Sequence, residues 1–230
     1  MGKTVFVVGF GPGISKAVAE KFGSSGFSVA LVARNQEKLA AGVKELDAKG
    51  IKAAAFAADA SDPASIRAAV EKARAELGPI AVIHWNAYGG AESGDLLTAD
   101  AAATRAVFDV AITGLLATVQ EALPDLKAAK DGAVLITNGA FGDIDPQTDA
   151  FATSSKNMGL ALANAAKHKL VGLLAQRLKD DGIHVGEVMV AGLVKGSAWD
   201  QGNANLEAST IADKFWELYQ GRSEIRARVG

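Results

Sequence analysis

The residues of this chain that could do chemistry lie in three places. In "ANAAKHKLVGLLAQRL", residues 163–178, Leu170, Val171, Leu174 and Leu178 form one apolar helical stripe, and one turn earlier that stripe passes through Lys167 and Ala163. An ammonium there can donate to ligand hydroxyls and favour developing negative charge; a lysine snorkelling from a helix end is the plainer alternative. In "VVGFGPGISKAVAEKF", Gly9, Gly11 and Gly13 stand between a strand and a helix. Such a turn lets backbone approach a pyrophosphate, whose charge then faces the amides and positive dipole end of the helix. The next strand ends "VARNQEKL", with Arg34 where a dinucleotide fold that prefers NAD usually carries an acid for the ribose 2′-hydroxyl. A guanidinium suits a 2′-phosphate, so these residues favour NADP, with NAD as the alternative.

Other chemistries have less to stand on. The chain has no cysteine, which excludes disulfides, thiolate nucleophiles and cysteine-ligated metals. His84, His168 and His184 are too widely separated to show metal-ligand spacing, so no metal is expected. With 24 Lys plus Arg against 26 Asp plus Glu and no basic block, nothing points to nucleic acid or an anionic membrane. The expected partners are a small-molecule substrate and other copies of the chain. "MGKTVFVVGFGPGIS" runs directly into a strand and a glycine turn with no signal-peptide core, and no apolar run of about 20 residues is evident to span a bilayer. A soluble cytoplasmic protein is therefore expected.

The elements that must position these groups alternate along the chain. Strand-like runs rich in Val, Ile and Ala recur at 4–9, 28–33, 52–59, 81–87, 132–139 and 183–192, with amphipathic helical stretches at 14–25, 36–49, 63–77, 99–129 and 159–180. Nearly apolar strands alternating with helices predict an α/β fold with a doubly wound parallel sheet covered on both faces, as one domain over 1–230. Gly26, Gly50, Gly78, Gly132 and Gly182 separate helix ends from strands, and Asp62-Pro63 opens the third helix as cap plus first-turn proline. Two segments after strand ends, 140–158 and 194–205, read as irregular, and Ile211, Phe215, Leu218 and Tyr219 recur at helical spacing near the C-terminus.

In order and spacing these segments resemble the short-chain dehydrogenases/reductases over nearly the whole length. Gly9-x-x-x-Gly13-x-Ser15 is similar to that family's glycine turn, with Ile14 where a literal G-x-G-x-x-G would need its last glycine. "FAADASD" resembles the segment whose Asp, here Asp59 followed by Ala60, lies near the adenine ring. "HWNAYGG" retains Asn86 and Ala87 of an Asn-Asn-Ala-Gly motif, and "GIHVGEVMVAGLVKGS" resembles the sixth strand and its Pro-Gly loop, with Ala191-Gly192 in that place. The resemblance implies a three-layer αβα Rossmann fold and cofactor contacts at these positions, including Gly11, Ile14, Arg34 and Gly192.

It also implies a catalytic set that this chain lacks in part. The family uses a Tyr whose phenol is made more acidic by a Lys four residues later, a Ser that polarises the substrate carbonyl, and an Asn that holds a relay water. Carried over, the Asn position is Ala111, the Ser position falls at about Gly139 beside Thr137 and Asn138, and the Tyr position is Ala163 if Lys167 is the motif lysine, or Ala152 if Lys156 is. Lys167 is preferred because "HKLVGLLAQRLKDDGIHV" continues the family's helix and next strand in register. The resemblance thus implies an atypical member without the Tyr: an NADP-dependent oxidoreductase passing hydride to or from a small carbonyl-like substrate, with Lys167 and Asn138 as its remaining catalytic groups. An inactive dinucleotide-binding protein, a redox sensor or assembly partner, is the alternative. The long helices imply a homodimer or homotetramer.

Overall fold

Short β-branched runs closed off by glycine pair into a sheet because their backbone groups find no partner within the run itself. In the computed structural model, which describes residues 2–89 and 93–230, the strands are β1 (Thr4–Val8), β2 (Ser28–Ala33), β3 (Ala53–Ala57), β4 (Ile80–Trp85), β5 (Ala133–Gly139), β6 (His184–Val190) and β7 (Arg226–Val229). All pair in parallel, in the order β3-β2-β1-β4-β5-β6-β7. Parallel pairing needs crossovers, and these are the helices α1 (Ile14–Ser24), α2 (Gln36–Asp47), α3 (Pro63–Leu77), α4 (Ala101–Phe108), α5 (Leu115–Ala128), α6 (Pro146–Ser154), α7 (Met158–Leu178) and α8 (Ala208–Gly221). The result is a doubly wound α/β sheet with helices on both faces.

Alternation along each strand feeds two separate cores. Val5 and Val7 of β1 join Leu31, Phe22, Leu39, Ile211 and Phe215 under α1, α2 and α8, whereas Phe6 and Val8 join Val32, Ile66, Trp85, Leu115, Ile136 and Val171 under α3, α5 and α7. Both faces of the central strands are dry, which is why those strands read as unbroken apolar runs. The order of strands reverses between β1 and β4, and ligands of open α/β sheets bind at the carboxyl ends of strands around such a switch.

Local rules decide most boundaries. Asp62 caps α3 by accepting the Ala64 amide at 2.9 Å, ahead of Pro63 in the first turn. The same Asp-Pro signal recurs at Asp145-Pro146, where Asp145 accepts the amides of Gln147 and Thr148 at 2.9 and 3.0 Å. It opens α6 inside the stretch that composition alone marks as irregular, which corrects that reading. The predicted helix 99–129 is continuous but not uniform: α4 and α5 are joined by a widened π-type turn at Asp109–Gly114. Together they form a 28-residue helical run, Ala101–Ala128, long and apolar enough to cross a membrane, contrary to the expectation that no such run exists. Here 44% of its most apolar window is buried, and it packs on α3, β4 and α7 as a core helix. Edge strand β7 is likewise unforeseen, because "RARV" carries two arginines and its partner β6 lies far back in the chain.

Candidate functional site

Gly9 and Gly13 have left-handed backbone, φ +81° and +91°, and close packing explains why Gly9 carries no side chain. A Cβ on Gly9 would stand 2.5 Å from the Ala87 amide nitrogen, so β1 and the segment after β4 are in near contact at the switch point. Asn86 fixes this juncture: its amide donates to the Val8 carbonyl at 2.9 Å and its Nδ2 to the Gly9 carbonyl at 3.4 Å. Ser15, buried in the first turn of α1, accepts the Gly11 amide at 3.0 Å and donates to the Gly11 carbonyl at 3.1 Å, which closes the glycine turn on itself. No side chain caps α1, so its leading amides, Ile14 among them, have no capping partner and are open to an acceptor. A cradle of this kind fits an anionic pyrophosphate.

The ends of β2 and β3 adjoin it. Arg34 is exposed and makes no ion pair among the described residues. Asp59 accepts the Ser61 amide at 2.9 Å and the Ser61 hydroxyl at 2.7 Å, and these bonds hold its carboxyl below the usual carboxylate range, with a smaller contribution from the Arg34 charge. Ala60 meets the π-type turn: a Cβ on Gly114 would collide with the Ala60 carbonyl oxygen, so the loop after β3 is clamped by the α4–α5 junction. From the other side, the loop after β6 folds back over the glycine turn. A Cβ on Gly13 would come 3.1 Å from Ser197 Cβ, and the ring of Trp199 stands edge-on to that of Tyr88 at 5.5 Å. Asp200 organises that loop by accepting the amides of Gly196 and Gly202 at 2.9 and 2.8 Å. Gly192 begins it, its α-carbon packed against Asn205 and Leu206.

A second group gathers where β5, β6 and α7 meet. Lys167 is only 6% exposed, and its Nζ donates to the Thr137 carbonyl at 3.1 Å, which excludes the snorkelling alternative. Burial pulls this ammonium down to about 8, against the upward pull of Glu187. Glu187 itself is 1% exposed; its Oε1 accepts Asn138 Nδ2 at 2.6 Å and its Oε2 faces His168 Nδ1 at 2.7 Å and Arg226 Nε at 3.4 Å. Asn138 Nδ2 also donates to the Asn164 carbonyl at 2.9 Å. Sequence reasoning passed over Glu187, although a lone acid in the apolar strand "IHVGEVMV" is a signal that buried partners must exist, and it read Asn164 only as an amide able to hydrogen-bond a carbonyl, not as a proton donor.

Two of the positions matched above to the family's Asn and Tyr carry only a methyl. Ala111 and Ala163 pack with Val107 into a small buried cluster, so neither carries a polar group toward a ligand. Tyr88 stands by the cleft, but burial raises its phenol above the ordinary value, the wrong direction for an acid of neutral pH. Tyr219 donates to Asp131 at 2.6 Å and packs on Phe22 and Phe27, within the α1 and α8 side of the core. Lys156 is exposed in a left-handed turn, φ +55°, between α6 and α7, so no helix carries it toward the cleft. A shallow depression of about 320 Å³ flanks α8 and β7 and another of about 400 Å³ lies between α7 and the start of β6, and neither is lined by a residue of the glycine turn or of the β4 and β5 ends.

Comparisons with known proteins agree with this geometry. A family model described as short chain dehydrogenase matches residues 3–204. The chain is similar to Oxidoreductase UcpA of Escherichia coli (strain K12), 30% identical over 177 residues that make up 75% of this chain and 66% of that one. It is also similar to 2,3-dihydro-2,3-dihydroxybenzoate dehydrogenase of Bacillus subtilis (strain 168), 32% identical over 171 residues, 70% of this chain and 65% of that one. These matches span just under two thirds of the relatives' own length. Among solved structures, a metagenomic short-chain oxidoreductase in complex with NADP superposes with a TM-score of 0.82 at 26% identity, covering 99% of this chain and 96% of that one. A short-chain oxidoreductase from Pseudomonas aeruginosa PAO1, described as NADPH-bound with an atypical catalytic centre, shares the fold at a TM-score of 0.85 and 20% identity, covering 98% and 94%. A match that runs from the first strand through the glycine turn to the loop after Gly192 does not rest on any single motif, and the chain belongs to the short-chain dehydrogenase family.

Proposed function

We propose that this protein is an NADP-dependent oxidoreductase that passes hydride between the nicotinamide and a small carbonyl-like substrate through a non-standard site. The observation that carries this reading is the uncapped N-terminus of α1 behind the left-handed Gly9 and Gly13, with Arg34 exposed and free of ion pairs among the described residues. Gly9, Gly11, Gly13, Ile14 and Ser15 would hold the pyrophosphate, Arg34 the 2′-phosphate, Asp59 and Ala60 the adenine side, and Asn86, Ala87 and Gly192 the floor and far wall. The metagenomic relative with NADP bound supports that choice of dinucleotide.

When bound, the nicotinamide supplies or accepts the hydride at the substrate carbon. The chain's own contribution is to position and polarise. Lys167 has two donors left after Thr137 and would hold ribose hydroxyls, its charge favouring hydride transfer electrostatically, while Asn138 anchors α7 to the end of β5. With alanines at 111 and 163, the proton for the reduced oxygen comes from water. Fluorescence titration with NADPH and NADH, followed by loss of the reduced-nicotinamide absorbance on a broad carbonyl panel, tests the proposal. Arg34→Glu is expected to weaken NADPH roughly 10- to 100-fold, the worth of a charge-assisted contact, and to leave NADH little changed.

The apolar cluster of Val107, Ala111 and Ala163 favours a second reading, a dinucleotide-binding protein without turnover. Tight NADPH binding with no oxidation on any substrate would select it. We also propose self-association through α7, whose Leu162 and Leu173 are 42% and 56% exposed on one stripe.

A further inference from the structure

We propose that the side-chain amide of Asn164 is a catalytic group that hydrogen-bonds the reacting oxygen of the substrate. The proposal rests on the oxidoreductase reading and adds a named donor to it. Asn164 lies on α7, one turn before Lys167, and is 3% exposed. Its backbone is pinned, because its carbonyl accepts Asn138 Nδ2 at 2.9 Å and Asn138 is itself anchored at 2.6 Å by the buried Glu187. Its side-chain amide, by contrast, makes no hydrogen bond among the described residues. The amide is not sealed from solvent, so an incoming ligand can reach it, and an unpaired donor on a rigidly held residue points to a ligand that completes it.

The surrounding backbone is shaped to admit that amide. A Cβ on Gly139, the last residue of β5, would come 2.7 Å from Asn164 Nδ2, and one on Gly142 would come 2.8 Å from the Asn164 carbonyl carbon. Two glycines of "GAFG" thus let the chain close around Asn164, and the amide occupies the volume that a side chain at 139 would otherwise fill. This spot stands at the carboxyl end of a strand near the switch point, where the substrate of an open α/β sheet reacts. An amide NH2 donates without surrendering a proton, so it can hold a carbonyl oxygen and strengthen its bond as negative charge develops there.

Asn164→Ala and Asn164→Asp, the second keeping the shape while removing the donor, are expected to lower kcat/KM about 10²- to 10³-fold, as loss of an oxyanion donor does, with NADPH affinity unchanged. An unreactive short-chain amide, isobutyramide, titrated calorimetrically into the NADPH-loaded protein, is expected to bind wild type and not Asn164→Ala. Gly139→Ala moves the same amide without deleting it, because Nδ2 is the free end of the side chain. The double variant Gly139→Ala/Asn164→Ala should then be no slower than Asn164→Ala alone. Wild-type turnover that survives Asn164→Ala and Asn164→Asp, or strictly additive losses in the double variant, overturns the assignment of Asn164 and leaves the oxidoreductase reading standing. Absence of wild-type turnover across the panel overturns both.

Discussion

At the scale of residues, the least comfortable group is Lys167. An ammonium in the core normally costs several kcal/mol, offset here by one backbone acceptor and the nearby Glu187 charge. Its folded value of about 8 lies below the ordinary 10.5, so the unfolded chain binds the extra proton between those limits and wild-type stability rises as pH climbs through that window. Lys167→Met should therefore be more stable than wild type at neutral pH, by up to about 3 kcal/mol, and the gap should close as pH rises from about 8 toward 10.5. Urea midpoints of the two proteins across that range check it; a gap that is absent at neutral pH, or that widens above it, contradicts the burial cost. The same variant should bind NADPH more weakly, the familiar conflict between a stable core and a working site.

Among elements, the junction of α4 and α5 does most to shape the cleft. The π-type turn at Asp109–Gly114 presses Gly114 onto the Ala60 carbonyl, and the Thr118 hydroxyl donates to the Gly114 carbonyl at 2.8 Å. Backbone on one side and helix on the other leave no flexible group to yield. Gly114→Ala is expected to cost about 2–4 kcal/mol, although alanine is otherwise the better helix former, and to weaken binding on the adenine side. Thermal unfolding decides this: a variant as stable as wild type would show that the loop and helix are not locked together. The loop after β6 is the corresponding element on the other flank, stiffened by Asp200 and laid on both Gly13 and Tyr88.

For the whole molecule, two dry cores on either side of one sheet leave α7 with its inner face committed to Lys167, Asn164 and Val171 and its outer face carrying Leu162 and Leu173. Eleven residues apart, these two leucines share a helix face, the arrangement of a helix that packs on something outside the fold. Leu162→Glu/Leu173→Glu should shift the protein from an oligomer to a monomer in light scattering while its circular dichroism stays unchanged. A wild-type monomer at high concentration would remove the proposal.

The sequence alone determined the wound sheet, the glycine turn and most helix ends, because those depend on period-2 and period-3.6 patterning, on capping side chains and on glycine's access to positive φ, all within a few residues. Strand β7 and helix α6 escaped it for opposite reasons. The first is stabilised by a distant partner strand, while the second announced itself by Asp145-Pro146 in a stretch whose composition hid it. The heart of the site was decided only by tertiary structure. Asn138 reaches Asn164 across 26 positions and Glu187 across 49, and Gly139 matters because of what packs on its empty side. Residue types and spacing along the chain fix which groups are available. Whether an ammonium is sheathed in the core, or an amide left unpaired at a strand end, depends on side chains brought together from several elements and on the volume their glycines leave free.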